Sequence, residues 1–199
     1  MMQPVSLPVW PSIRATADER RRPLPGDERI SKPLDTITHA ITIDRPPRDV
    51  WPWLVQMGAG KRAGWYSHDW LDNGRRPSAE EIIPELQHPQ VGTIFNALPT
   101  IEDGFRLSSI EPERSLTLDW PAPDGSPTVT WTFVLEPIGE QQTRLLVRVR
   151  GAQDYRFLGL PVFLTKPLIH FVHFVMERKQ LLGIVDRAES HYSSINAAR

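Results

Sequence analysis

Two segments in the second half of the chain, TWTFVLEP (residues 130–137) and TRLLVRVR (residues 143–150), decide the fold. In both, apolar side chains occupy every second position on one face. Such alternation is typical of strands with one buried face and one face in contact with water, so we predict an antiparallel sheet. The side chains predicted to face the core are Trp131, Phe133, Leu135, Leu145, Val147 and Val149.

Further strands surround this pair. TITHAITID (residues 36–44) places isoleucines on one face, and SLTLDW (residues 115–120) places two leucines and a tryptophan on one face. Residues 93–98 and 105–110 complete the set. Between the first strand and the others, RDVWPWLVQMG (residues 48–58) has the spacing of a helix that ends at a glycine.

The last part of the chain, FLGLPVFLTKPLIHFVHFVMERKQLLGIVDRAESHY (residues 157–192), predicts one long helix. We assign its apolar stripe to side chains at three- and four-residue steps. Prolines and a lysine interrupt its apolar beginning, which favours burial against the sheet over a membrane span, although an interfacial helix stays open. The stripe consists of Phe171, Phe174, Val175, Leu182 and Val185.

The beginning of the chain is rich in proline and lacks the pattern of a strand or a long helix. We predict that residues 1–33 form an extended arm over a single domain, residues 34–195, with one helical turn around Thr16–Arg21. The order of strand, short helices, strands and final helix predicts an α+β domain whose curved sheet wraps the last helix. Such a sheet does not always close its core, so a cavity for a small molecule is expected.

Composition excludes several classes of protein. Among 199 residues, 23 Lys and Arg balance 24 Asp and Glu to a formal charge of −1, which argues against a dedicated nucleic-acid binder. The absence of cysteine excludes disulfides, thiolate metal sites and cysteine nucleophiles. No serine-hydrolase, phosphate-loop or zinc-protease motif occurs, and we expect no cofactor and no metal. The start lacks the pattern of a secretory signal, so we expect a cytoplasmic protein.

Several segments together resemble the START/polyketide-cyclase (SRPBCC) superfamily, in a bacterial, mostly uncharacterised branch. The resemblance implies a helix-grip fold, in which about seven antiparallel strands wrap a long C-terminal helix around a deep cavity for lipids, polyketides or other apolar ligands. The chain departs from the pattern at His68, where an aromatic residue is expected, and at His170. The segments are residues 22–28, 41–73, 82–92, 131–137, 143–150 and 173–184.

The segment GWYSHDWLDN (residues 64–73) is the strongest candidate for a ligand wall, because aromatic rings offer large contact areas at low entropic cost. These rings could equally close one end of the core, with Asp69 capping a short helix. Our candidate lining residues are Trp53, Trp65, Tyr66, Trp70, Trp120, Trp131, Phe174 and Met176, and the candidate polar contacts are Asp69, Arg106, His173 and Glu177.

Candidates for chemistry are Asp69, His173 and Glu177. His170, His173 and Glu177 share one helix face and could transfer protons or bind a metal, but we favour a hydrogen-bonded polar ridge. In that reading Glu177 pairs with His173 or with a strand arginine such as Arg148. Glu85, His88 and Arg106 could supply an acid, a base and an anion anchor, or a surface ion pair.

We therefore predict a protein that binds a hydrophobic small molecule between the sheet and the last helix. The first alternative is an enzyme of the cyclase or dehydratase type. The second is a non-catalytic module that docks on a partner or a membrane through residues 157–164. We expect neither nucleic-acid binding nor stable membrane insertion, and a homodimer stays open.

Overall fold

The computed structural model describes residues 12–153, 155 and 162–197, with side chains for 12–153, 155 and 167–190. The strands are β1 (Asp35–Ile43), β2 (Ile94–Asn96), β3 (Gly104–Glu111), β4 (Ser115–Pro121), β5 (Pro127–Ile138) and β6 (Gln142–Gly151). The α-helices are α1 (Ala17–Arg21), α2 (Pro47–Val55), α3 (Asp69–Asp72) and α4 (Val162–Ala197). Short 3-10 helices span Asp27–Ile30 and Pro84–Leu86.

The strands form one curved antiparallel sheet in the order β1-β6-β5-β4-β3-β2. Trp131 lies opposite Val149 on β6 and Leu118 on β4, so the predicted apolar faces coincide. A bulge interrupts the β3–β4 pairing between Leu107 and Ser109. Six strands occur in the described part of the chain, where the resemblance implied about seven.

Helix α4 packs on the inner face of the sheet and against α2. Its buried side chains Leu181 and Ile184 join Ile41, Phe133 and Leu145 in one core. The predicted apolar stripe is therefore partly wrong. Leu182 and Val185 pack against this core, whereas Phe171, Phe174 and Val175 face outward.

Residues 12–34, which precede β1, cover the outer face of the sheet. Arg148 on β6 is only 3% exposed, and its guanidinium donates hydrogen bonds to the main-chain oxygens of Glu19, Arg20 and Arg22. It also pairs with Asp27 at 2.7 Å. From the alternation we predicted that the outer face of the sheet is in contact with water. This prediction is wrong here, because residues 12–34 form a second layer on that face. A small apolar cluster of Ala15, Leu24, Ala40, Val134 and Leu146 lies between the layers.

The predicted helical turn near Thr16 is confirmed as α1. Thr16 and Glu19 form a reciprocal capping box, in which each side chain accepts a hydrogen bond from the other residue's main-chain N–H. Glu19 also binds Arg144 on β6 at 2.8 Å. The Glu19 carboxylate therefore both caps the N-terminus of α1 and attaches this helix to the sheet.

The segment between α2 and α3 closes one end of the core around a buried arginine. The guanidinium of Arg62 donates hydrogen bonds to the carbonyl oxygens of Val55 and Met57 and lies 4.0 Å from the ring centre of Phe95. Burial lowers the pKa of Arg62 to about 10. These contacts satisfy carbonyls that the end of α2 leaves without helical partners.

Glycine at position 183 of α4 allows this segment to approach the helix. A Cβ atom there would overlap the main-chain oxygen of Tyr66, whose φ of 59° is uncommon for a residue with a side chain. Close contact between a loop and a helix thus depends on the absence of one methyl group.

We expect Gly183→Ala to destabilise the protein by about 1–3 kcal/mol because of this overlap. An alanine in a helix usually stabilises relative to glycine, so the expected sign is opposite to that of helix propensity. Urea denaturation measures the effect, with the exposed Lys179→Ala as the control on the same helix. A Gly183→Ala protein as stable as the wild type would contradict the close packing of Tyr66.

The Glu19 attachment predicts a specific dependence of stability on pH. The hydrogen bond from Arg144 outweighs desolvation and lowers the pKa of Glu19 from 4.5 to about 2. The contribution of the carboxylate is therefore fully present above pH 4.5 and is lost as the pH falls toward 2. We expect Glu19→Gln to reduce the free energy of unfolding by about 1–3 kcal/mol at neutral pH and by much less near pH 2.

Denaturation of both proteins at several pH values checks this, and Glu28→Gln, an exposed position on the same arm, is the control. A difference between Glu19→Gln and wild type that stays constant from pH 7 to pH 2 would rule out the role of the charge.

Candidate ligand-binding site

The space between α4 and the inner face of the sheet is not filled at the end where α4 begins. A larger cavity of about 320 Å³ adjoins a smaller one of about 200 Å³, and the two share Phe105, Val172 and His173 in their walls. The larger cavity is also lined by Leu34, Asp35, Ile37, Trp120, Val129, Val149, Gly151, Tyr155 and Ile169. The smaller one is also lined by Trp65, Ser67, Asp72, Ala97, Trp131, Met176, Glu177 and Gln180.

The side chains of the sheet explain where the space lies. At the filled end, Leu135 and Leu145 pair across β5 and β6 and meet the buried residues of α4. At the other end Val129 lies opposite Gly151, and the neighbouring inward residue of β6 is Val149, so the inward side chains there are shorter. Shorter side chains beneath the same helix leave a void.

An aromatic cluster separates the cavities from the filled core. Trp65 stacks on Trp131 with ring centres 5.3 Å apart, and the Phe105 ring meets Trp131 and Trp120 at steep angles. The Trp65 indole N–H donates to the main-chain oxygen of Asn96 at 3.1 Å, which fixes that ring. The aromatic wall is therefore largely preformed.

Helix α4 contributes three polar side chains to the site, His173, Glu177 and Gln180. Nδ1 of His173 is 3.6 Å from a carboxylate oxygen of Glu177, and both side chains line the smaller cavity. Burial raises the pKa of Glu177 to about 8, against the opposing effect of the nearby Trp131 indole N–H. Burial, with the neighbouring His39 and His170, lowers the pKa of His173 to about 4. Both groups are therefore mostly uncharged at neutral pH.

Other titratable groups lie around this pair. His39 of β1 stacks near His173 with ring centres 6.4 Å apart, and His170 contacts Asp35 at 2.6 Å in a more exposed position. Burial and the neighbouring Asp69 raise the pKa of Asp72 to about 6. The wall of the larger cavity thus includes Asp35, which is hydrogen-bonded to His170, and the wall of the smaller one includes the carboxyl groups of Asp72 and Glu177.

The structure brings half of the predicted lining and contact residues together. Those that line the cavities are Trp65, Trp120, Trp131, His173, Met176 and Glu177. On β4 and β5 they occupy the inward positions that alternation predicts. Arg148 does not reach Glu177, because it lies on the opposite face of the sheet.

Three of the other predicted residues are structural. Trp53 is fully buried and packs edge-on against Tyr66, whose hydroxyl donates to the Trp53 main-chain oxygen and accepts from Gln56. The Asp69 carboxylate accepts hydrogen bonds from the main chain and hydroxyl of Ser78, so it holds a loop rather than capping α3. These three residues are absent from the walls of both cavities.

The remaining predicted residues face away from the cavities. In the β3–β4 register Arg106 lies opposite Asp119, on the other face of β3 from Phe105. Trp70 is 66% exposed. Phe174 lies on the outer side of α4, near His39 and Ser12. Glu85 and His88 are exposed and line neither cavity, so the acid–base set proposed around Arg106 does not assemble.

Sequence reasoning missed part of the wall although the signal was present. Ile169, Val172 and Gln180 follow the helical stripe through His173 and Met176, and Val129 and Val149 follow the alternation of their strands. Phe105 lies opposite Phe95 in the register. Tyr155 offered no periodic signal, because it lies outside the strands.

Some sequence hypotheses concern metals and membranes. Within the described residues, no three His, Cys, Asp or Glu side chains are placed to hold a metal ion. No helix among those residues is long and apolar enough to cross a bilayer. Of the docking segment 157–164, residues 157–161 and the side chains of 162–164 lie outside the described part.

Comparisons with known proteins return structures only. No protein-family model and no curated protein match the chain. A crystal structure of a Mesorhizobium loti protein shares 18% identity over 79% of this chain and 98% of its own, with a TM-score of 0.44. A polyketide-cyclase-like protein of Corynebacterium glutamicum shares 22% identity over 80% and 83%, with a TM-score of 0.35. The Aha1 dimer of Colwellia psychrerythraea shares 16% over 78% and 97%, with a TM-score of 0.40.

The assignment of the fold rests on the chain itself. One antiparallel sheet in the order β1-β6-β5-β4-β3-β2 curves around a long final helix that covers its inner face. That arrangement is what the sequence resemblance implied. By its strand order and terminal helix, the chain has a helix-grip fold.

Proposed function

We propose that this protein binds a hydrophobic small molecule between α4 and the sheet. The observation that carries the proposal is the larger cavity of about 320 Å³, whose walls are mainly valine, isoleucine, leucine and aromatic side chains. This volume lies at the lower end of the range for small-molecule pockets. Water is poorly stabilised inside a cavity with such walls, because a buried water molecule needs several polar partners.

The walls suit an aromatic or short aliphatic ligand. Phe105, Trp120 and Trp131 offer flat faces, and Val172 closes the space from α4. Burial of an apolar ligand of two or three rings, less the cost of association, corresponds to a dissociation constant in roughly the micromolar range.

An enzyme of the cyclase or dehydratase type is the second candidate, and one observation favours it. Glu177 and His173 face the same cavity while burial moves their pKa values in opposite directions. Titratable pairs whose environments separate their pKa values are frequent in acid–base catalysis. Incubation with poly-β-ketone substrates, followed by product analysis, tests this candidate, and unchanged substrate would count against it.

A substitution within the shared wall tests the binding proposal. Uncharged N-phenyl-1-naphthylamine should bind the wild-type protein with a saturable rise in its fluorescence. We expect Val172→Phe to weaken this binding about tenfold or more, because the added ring occupies space between the two cavities.

The matched control is Val175→Phe, three residues further along α4 on its outward side. It should leave the dissociation constant unchanged. If Val175→Phe weakens binding and Val172→Phe does not, the probe binds the outer surface and the cavity proposal is wrong. Native mass spectrometry of freshly expressed protein would identify a retained natural ligand.

A further inference from the structure

The smaller cavity contains buried polar atoms without hydrogen-bond partners. Both carboxyl oxygens of Glu177, Nδ1 of His173, the indole nitrogen of Trp131 and the side-chain oxygen of Gln180 make no hydrogen bond to any described residue. The Glu177 side chain is 1% exposed and lines this cavity. Buried polar groups are normally paired, so such a group in a cavity wall indicates a missing partner.

The atoms without partners can both donate and accept. The indole N–H of Trp131 is a donor only, whereas a protonated carboxyl group offers one O–H and a free oxygen. A single ligand oxygen placed among them could accept hydrogen bonds from Trp131 and Glu177. A ligand hydroxyl would in addition have a proton to donate to Gln180.

The charges around the cavities exclude an anionic head group. Among the described residues, neither cavity wall contains a lysine or an arginine, and Arg148 lies on the other face of the sheet. A carboxylate would therefore be buried without a counter-ion, which is far more costly than the burial of a neutral group.

A cationic head group is also disfavoured, for a different reason. Beside Trp131 its partner would be Glu177, which burial keeps mostly protonated at neutral pH by raising its pKa to about 8. The other carboxyl group of this wall, Asp72, has its pKa raised only to about 6, so the amine probe also tests pairing with Asp72. An ammonium ligand beside Trp131 would have to ionise Glu177 and lose its own hydration inside an apolar wall. In buried ion pairs such costs often exceed the attraction.

We propose, on the basis of the binding function above, that the ligand carries one uncharged oxygen head group, a carbonyl or a hydroxyl, which Glu177 and Trp131 bind at the inner end of the site. Its apolar body then extends along Phe105 and Val172 into the larger cavity. Glu177 thereby selects neutral ligands over anionic and cationic ones.

A series of probes on one carbon skeleton tests this. The compounds are 2-acetylnaphthalene, 1-(2-naphthyl)ethanol, 1-(2-naphthyl)ethylamine, 2-naphthoate and the oxygen-free 2-ethylnaphthalene. Displacement of N-phenyl-1-naphthylamine at pH 7 gives each dissociation constant. In the wild type, the ketone and the alcohol should bind at least about tenfold more tightly than the naphthoate and the amine.

Substitution of Glu177 separates the contribution of the ligand's head group to binding from the contribution of its apolar body. We expect Glu177→Leu to weaken binding of the ketone about tenfold relative to binding of 2-ethylnaphthalene. Glu177→Gln keeps a donor and an acceptor, so it should retain most of the preference for the ketone over the hydrocarbon. Lys179→Leu, an exposed position two residues away, is the control and should leave the ratio unchanged. Circular dichroism of each variant confirms that it is folded.

The outcomes distinguish the two proposals. If no naphthalene displaces the probe and the probe itself does not bind, the binding function fails. If all the compounds bind but the ketone-to-hydrocarbon ratio is the same in Glu177→Leu and wild type, the cavity binds ligands and the role of Glu177 is wrong. If the amine binds most tightly and Glu177→Gln abolishes that binding, the ligand is a cation and the inference is overturned.

Discussion

The structure depends on a mismatch between the width of one helix and the width of the sheet that it covers. A helix with its side chains is about 10 Å wide, whereas six strands extend over roughly 24 Å. Helix α4 alone cannot bury the whole inner face, even though the sheet curves around it. At one end, α2 and the segment around Arg62 fill the remainder. At the other end, valines beneath α4 leave the space open, and this is where the cavities lie.

Charged residues make many of the contacts that cover the outer face of the sheet. Arg148 is buried between β6 and the N-terminal residues, where main-chain oxygens and Asp27 surround its guanidinium. Arg144 and Glu19 form a similar contact nearby. An arginine buried in this way needs all its partners in place, so the arm and the strands are structurally dependent on each other. This arrangement leaves the inner face free to differ in its packing from one end to the other.

Local periodicity predicted the elements better than it predicted their orientation. Alternation placed Trp120 and Trp131 on the inner face, and the same rule applied to β3 would have placed Arg106 on the outer one. The phase of α4 was harder to predict, because its buried side includes the polar Glu177 and Gln180 while Phe171 is exposed. Burial of Arg148 could not be predicted, since it depends on contacts more than 120 positions away in the chain. The cavity depends on how side chains from several strands and from α4 pack together, so no single segment of the sequence predicts it.

The separation of a filled end from a hollow end has a consequence for how such a protein diversifies. Leu135, Leu145 and Leu181 secure the core, whereas Val129, Val149 and Val172 mainly shape empty space. Replacing one of these valines changes the room for a guest molecule while the packed region keeps its contacts. The volume and shape of the cavity can therefore change at one end of the sheet with little loss of stability, so the ligand selectivity proposed above could diverge without a change of fold.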